Sequence, residues 1–233
     1  MWIHGHSSSS HLYRDKLSLF LILALSSGLS VAMLAARIWY SGSGIYAFLV
    51  WNLFLAWVPL FSAVGLWWVT RLRGWGAVPL GLPLFLCWLA FFPNAPYIVT
   101  DFLHLTERSS APLWYDLLML FSFAWNGLVV GFTSLWIVQA VIAQRWGNGP
   151  SWLIVAGTLA VSGFGVYLGR FLRWNSWDIL TNPYLLANDI LHHIANPLAH
   201  PRTVVMTTLF SSFLILAYLT INLLGRVRWQ QSS

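Results

Sequence analysis

Apolar residues along this chain run in long blocks separated by short polar interruptions. Six blocks reach about 20 residues, the length an α-helix needs to cross roughly 30 Å of hydrocarbon. They are Leu17–Ala36, Ile45–Thr70, Trp75–Phe92, Leu113–Ala143, Ser151–Leu172 and Thr203–Leu224. The pattern predicts an all-α fold, a polytopic transmembrane helix bundle of about six spans. The third block is the shortest and carries Pro79 and Pro83. It is expected to kink, with neighbouring helices or water satisfying the freed carbonyls. The fourth is long enough to tilt or to project beyond the bilayer.

Three interruptions read as tight turns, at 40–44, 71–74 and 147–150. The other two are longer and hold most of the chemistry. The loop after span three contains Phe91-Phe92-Pro93-Asn94-Ala95-Pro96-Tyr97-Ile98-Val99-Thr100-Asp101-Phe102-Leu103-His104. Pro93 and Pro96 should end the span, and Thr100 can then cap a short helix. Asp101 and His104, at i and i+3, would share a face of that helix, with Glu107 following at the same spacing. The loop after span five reads Gly169-Arg170-Phe171-Leu172-Arg173-Trp174-Asn175-Ser176-Trp177-Asp178. Asn182-Pro183 reads as an N-cap followed by proline at the first helical position. The helix it opens, to about Ala195, is too short and polar to span, so it is placed flat in the interface. Its apolar stripe is Leu186, Ile190 and Ile194. An even-numbered topology puts both long loops on one side.

Composition agrees with a membrane environment. The chain has 233 residues, 58% hydrophobic and 8% charged, with a mean hydropathy of +0.70. Soluble domains carry roughly 25% charged residues. Sixteen Trp and eight Tyr suit headgroup depth. The net charge of +6 comes from basic residues scattered at span ends, which excludes a nucleic-acid stripe and makes the lipid bilayer, with anionic headgroups, the expected partner. Cys87 is the sole cysteine and reads as a small buried hydrophobe. Arg14 and Lys16 ahead of span one resemble a signal peptide, but the run is too long and lacks an A-x-A site. The expected organisation is a polar tail at 1–16, one transmembrane domain at 17–225 and a short basic tail at 226–233. With the N-terminus inside, seven Lys and Arg fall on the cytoplasmic side against five outside, which favours cytoplasmic termini.

Small residues recur at i and i+4 in Ser26-x-x-x-Ser30, Gly127-x-x-x-Gly131 and Gly165-x-x-x-Gly169. Such pairs let helices approach closely, either between copies of the chain in an oligomer or within the bundle.

The two long loop motifs, together with Trp114-Tyr115-Asp116 and Trp125-Asn126-Gly127, resemble domain-of-unknown-function family 1361, a group of bacterial integral membrane proteins. The resemblance covers roughly residues 17–225 and implies a multi-span protein of the bacterial inner membrane. It implies no activity and carries no catalytic assignment.

The residues themselves suggest a polar site at the extracytoplasmic face. Asp101, His104, Asp116 and Asp178 are its catalytic candidates. Arg170, Arg173, Asn175, Asn94 and Asn126 are the candidates for binding substrate, since arginine grips phosphate-like groups through paired hydrogen bonds. Asp101-x-x-His104 and Asp189-x-x-His192-His193 offer ligands for a divalent metal ion that could activate water. These parts suit a hydrolase or transferase acting on a lipid-like anionic substrate. The same residues also suit a structural network, with Arg170 and Arg173 snorkelling to headgroups or pairing with Asp101, Asp116 or Asp178. Likewise Asn126 can serve as a cavity donor or as interhelical glue. Two other classes of function are a small-solute transporter, with broken helices around a midplane site, and a non-catalytic assembly partner. No nucleotide-binding loop or serine nucleophile motif is present.

Overall fold

A computed structural model describes residues 6–71, 77–105 and 111–225. In these segments the chain folds into helices: α1 (His6–Ser41), α2 (Phe48–Val69), α3 (Ala77–Phe91), α4 (Asn94–Tyr97), α5 (Leu113–Trp146), α6 (Asn148–Phe171), α7 (Asp178–Thr181), α8 (Pro183–Ala195) and α9 (Pro201–Leu224). Six stretches are long and apolar enough to cross a membrane, containing α1, α2, α3, α5, α6 and α9. Helices satisfy every backbone group within the segment, which hydrocarbon demands.

The boundaries depart from the hydrophobic blocks where polar residues continue a helix. α1 is already helical at His6, inside the polar tail. α5 runs 34 residues, about 51 Å at 1.5 Å per residue, well beyond a ~30 Å hydrocarbon layer. Gly147, at φ 89°, ends α5 and lets α6 begin at the next residue.

α5 is the central helix. It packs against α1, α2, α4 and α6, while α9 lies along α6. α1 buries Leu23, Ser30, Leu34 and Arg37, a single stripe at helical spacing. One apolar cluster joins Leu34, Leu49, Ala95, Met119 and Phe123 from α1, α2, α4 and α5. A second joins Trp88, Leu135, Leu159 and Leu214 from α3, α5, α6 and α9, with Phe92 just beyond α3.

The small-residue motifs serve packing within this bundle. A Cβ at Gly127 would stand 2.6 Å from the Ala95 carbonyl, and one at Gly131 would stand 2.7 Å from the Ala95 Cβ. From the other side, a Cβ at Gly165 would meet Pro93 at 2.9 Å and one at Gly169 would meet Tyr97 at 3.1 Å. Both glycine pairs therefore close on the same turn, Pro93 to Tyr97, from α5 and from α6. Ser26 and Ser30 serve α1 against α5: Asn126 donates to the Ser26 carbonyl at 3.1 Å and to Ser30 Oγ at 2.7 Å.

Beyond α3 the chain does not leave the bundle at once. Pro93 breaks the helix, α4 adds one turn, and a 3-10 helix follows over Ile98–His104. Thr100 lies inside that helix rather than capping it. Glu107 falls outside the described residues.

Candidate functional site

The 3-10 helix sets the geometry of the first polar cluster. At three residues per turn, side chains at i and i+3 eclipse, so Asp101 and His104 rise on one edge. α6 brings Arg170 onto that edge from its last turn. The Arg170 guanidinium forms an ion pair with Asp101 Oδ1 through Nη2. Its Nε donates to Thr100 Oγ1 at 2.8 Å, and its Nη1 lies 2.8 Å from His104 Nε2. Asn52 of α2 donates to the other Asp101 oxygen at 2.9 Å. The Tyr97 ring lies 4.4 Å from the guanidinium carbon, a cation–π contact. Asp101 is buried and His104 exposed, so the network has one open edge.

This arrangement limits the chemistry of its members. Arginine can only donate, so His104 Nε2 is the acceptor in this contact. Both Asp101 oxygens are engaged. Arg170 holds one Asp101 oxygen and Asn52 the other.

Asp116 stands apart from this cluster, in a bidentate pair with Arg37 of α1: Nε to Oδ1 at 2.7 Å and Nη2 to Oδ2 at 3.2 Å. Both side chains are essentially inaccessible, at 1% and 0%. Tyr46 joins the two clusters, lying beneath Arg37 at 4.6 Å and donating to the His104 carbonyl at 3.1 Å. Burial pushes the Tyr46 hydroxyl pKa upward, which keeps it a donor.

The loop after α6 folds back on the turn after α3. Asn94 donates to Ser176 Oγ at 2.8 Å, and Ser176 donates to the Ala90 carbonyl at 2.9 Å. Asp178 caps the local turn, accepting from the Asn175 backbone N–H at 2.8 Å and from Thr181 at 3.0 Å. The Asn175 N–H, foremost, holds the Asp178 carboxyl below its ordinary pKa. Asn175 thus serves its own loop. Asn182 precedes α8 without making a side-chain cap.

Arg173 differs from these neighbours. It is exposed, takes the left-handed conformation at φ 62°, and forms no hydrogen bond or ion pair with any described residue. The turn lets the Trp174 N–H reach the Leu168 carbonyl at 3.2 Å. Glycine or asparagine would fill that position at lower cost.

α8 forms a shelf beside this face. Of the expected stripe only Leu186 is buried; Ile194 is 63% exposed. Trp174 Nε1 donates to Asp189 at 2.9 Å, which ties the shelf to the loop. His192, His193 and His200 offer nitrogen atoms within 4.8 Å of one another. The proposed metal set of Asp101, His104, Asp189 and His192 therefore divides: the first pair holds Arg170, Asp189 holds Trp174, and His192 faces His200. Desolvation, then the charge of His193 and His192, pushes the His200 pKa down.

Sequence reasoning missed four members of these clusters. Arg37 counted only as a loop charge, although it falls on the α1 stripe with Leu23, Ser30 and Leu34. Asn52 is a lone polar residue near the start of an apolar span, which was a usable signal. Tyr46 carried none. His200 lay beyond the Asn196-Pro197 turn, whose reversal brings it back to His192.

No curated protein and no solved structure matches the chain. Residues 51–217 match the family model described as Protein of unknown function (DUF1361). That segment contains both glycine pairs, the turn they enclose, Asp101, His104, Asp116 and the arginines at 170 and 173. The chain is a multi-span helical protein and belongs to this family.

Proposed function

We propose that the protein binds the anionic headgroup of a lipid or lipid-linked molecule at the face where the two long loops meet. The observation that carries this is Arg173: an exposed guanidinium on a left-handed backbone, with no hydrogen bond or ion pair to any described residue. Backbone held in a sparsely populated conformation clusters at ligand-binding sites. Arginine matches a phosphate with two parallel hydrogen bonds. α8 supplies the approach from the bilayer, with Tyr184, Leu185, Leu191 and Ile194 exposed along it, as in a helix lying in the interface. The excess of basic residues on the opposite side favours an extracytoplasmic location for this face.

Hydrolysis or transfer on such a substrate is the activity this recognition would serve. Asp101 and His104 then act as positioning residues behind Arg170, and Asp116 stabilises the bundle beneath them. A second reading, a non-catalytic assembly partner, draws on the saturation of the Arg170 network.

The test uses the full chain in nanodiscs of phosphatidylcholine doped with phosphatidylglycerol, with retained lipid read by native mass spectrometry. Wild type is expected to retain the anionic lipid selectively. Arg173→Gly, which relieves the backbone, should lower retention about tenfold, the loss of roughly 1.4 kcal/mol of charge-assisted bonding. Arg145→Gln, a control outside this site, should not. Equal retention by Arg173→Gly and wild type would overturn the reading.

A further inference from the structure

The shelf carries three imidazoles that the headgroup reading does not use. His192 and His193 close α8, and His200 returns to them after Asn196-Pro197 and a short 3-10 turn. Two features prepare them as ligands. His193 Nδ1 lies 2.8 Å from the Asp189 carbonyl one turn back. A carbonyl only accepts, so Nδ1 is the donor here and Nε2 is the nitrogen left to face an ion, the orientation that outer partners impose on metal-bound histidine. His200 Nε2 and His192 Nδ1 stand 3.1 Å apart. That is close to the ~3.3 Å that separates two nitrogens at about 2.05 Å from a tetrahedral ion. The rings cluster, with His193 and His200 centroids 4.2 Å apart and His192 and His200 centroids 5.0 Å apart.

We infer that His192, His193 and His200 bind one divalent transition-metal ion, zinc or another ion with the same preference for imidazole. Three nitrogen ligands leave a fourth position of a tetrahedral ion open to water or substrate. The site lies beside the end of α6. Tyr167 approaches His193 at 5.9 Å, and Phe171, 5.2 Å from Tyr167, carries Arg202 at 4.2 Å. Arg170 and Arg173 belong to the same helix end. The metal site stands on its own geometry and does not depend on the headgroup reading.

The experiment is a cobalt and zinc titration of the full chain, stripped with chelator, with His4, His6 and His11 replaced by Ser to remove terminal histidines. One equivalent of Co2+ should bind with the intense visible absorption of a tetrahedral site, and Zn2+ should displace it. His200→Ala and His193→Gln should each weaken binding by more than about 100-fold, at least the loss seen for disturbed outer partners. Circular dichroism and gel filtration should match the parent, because these side chains lie on the shelf rather than in the core. Absence of stoichiometric binding in the parent, or unchanged affinity in folded His200→Ala, would overturn the assignment. Lipid retention in the same variants separates the two readings, since loss of metal with retained lipid selectivity leaves the Arg173 proposal intact.

Discussion

Gly127 lies so close to Ala95 that a Cβ on the glycine would stand 2.6 Å from the alanine carbonyl oxygen. A backbone oxygen cannot swing aside as a side-chain tip does, so α5 and the Pro93–Tyr97 turn must separate to admit any larger residue. Gly127→Ala should cost about 1–3 kcal/mol, the usual range for overpacking. Gly28 of α1 has nothing within 4 Å of the corresponding position, and Gly28→Ala should be neutral or stabilising by up to about 1 kcal/mol. Thermal unfolding of both variants in one detergent measures the difference. Equal effects would contradict the close approach.

Arg170 meets Asp101, Thr100, His104 and Tyr97 with different parts of one planar group. A lysine carries the charge but not this fork. Arg170→Lys should therefore destabilise almost as much as Arg170→Gln. Asp101→Asn should also destabilise, leaving the guanidinium without its counter-charge; breaking a buried pair costs about 3–5 kcal/mol. A double-mutant cycle on Arg170 and Asp101 should show coupling above about 1 kcal/mol. Additive effects would show that the pair contributes little.

The Arg37–Asp116 pair is the more deeply buried, and it predicts an asymmetry. Asp116→Leu alone strands the arginine and should cost about 3–5 kcal/mol. Adding Arg37→Met removes the stranded charge and should recover much of that loss, because apolar replacement of a whole buried pair is often neutral. A double variant no more stable than Asp116→Leu would mean that Arg37 holds Ser43 and Tyr46 in a way the pair cannot lose.

Asp178 sets a pH response in the loop after α6. Its folded pKa is lowered, chiefly by the Asn175 N–H. Its stabilising effect is therefore complete above the unfolded value of about 4 and vanishes as pH falls through the lower folded value. Amide exchange at Asn175 should stay slow from pH 5 to 8, after correction for intrinsic rates, and rise on further acidification. Asp178→Asn should show faster exchange already at neutral pH. A wild-type loop that loosens between pH 5 and 8 would assign the response to another group.

Much of the bundle was legible because hydrocarbon leaves few choices. A run of twenty apolar residues must be helical there, so six spans follow from block lengths alone. The short helix α8 was legible for a related reason: Asn182-Pro183 and Asn196-Pro197 bracket a helical segment too polar to cross. Which polar side chains pair was not legible. Asp101, Asp116 and Asp178 offered Arg170 equivalent carboxylates in the sequence, and a pairing depends on distances between elements far apart in the chain.

The sequence by itself determined a membrane-spanning helical protein with its polar chemistry in two loops on one side. Local hydropathy and proline placement suffice for that, since each acts over a single turn or span. Only the tertiary structure decided that both glycine pairs grip the Pro93–Tyr97 turn. It also decided that Arg170 takes Asp101 while Arg37 takes Asp116, and that His200 rejoins His192 and His193. Those outcomes depend on how closely helices approach, and close approach is a property of pairs of surfaces that neither helix carries alone.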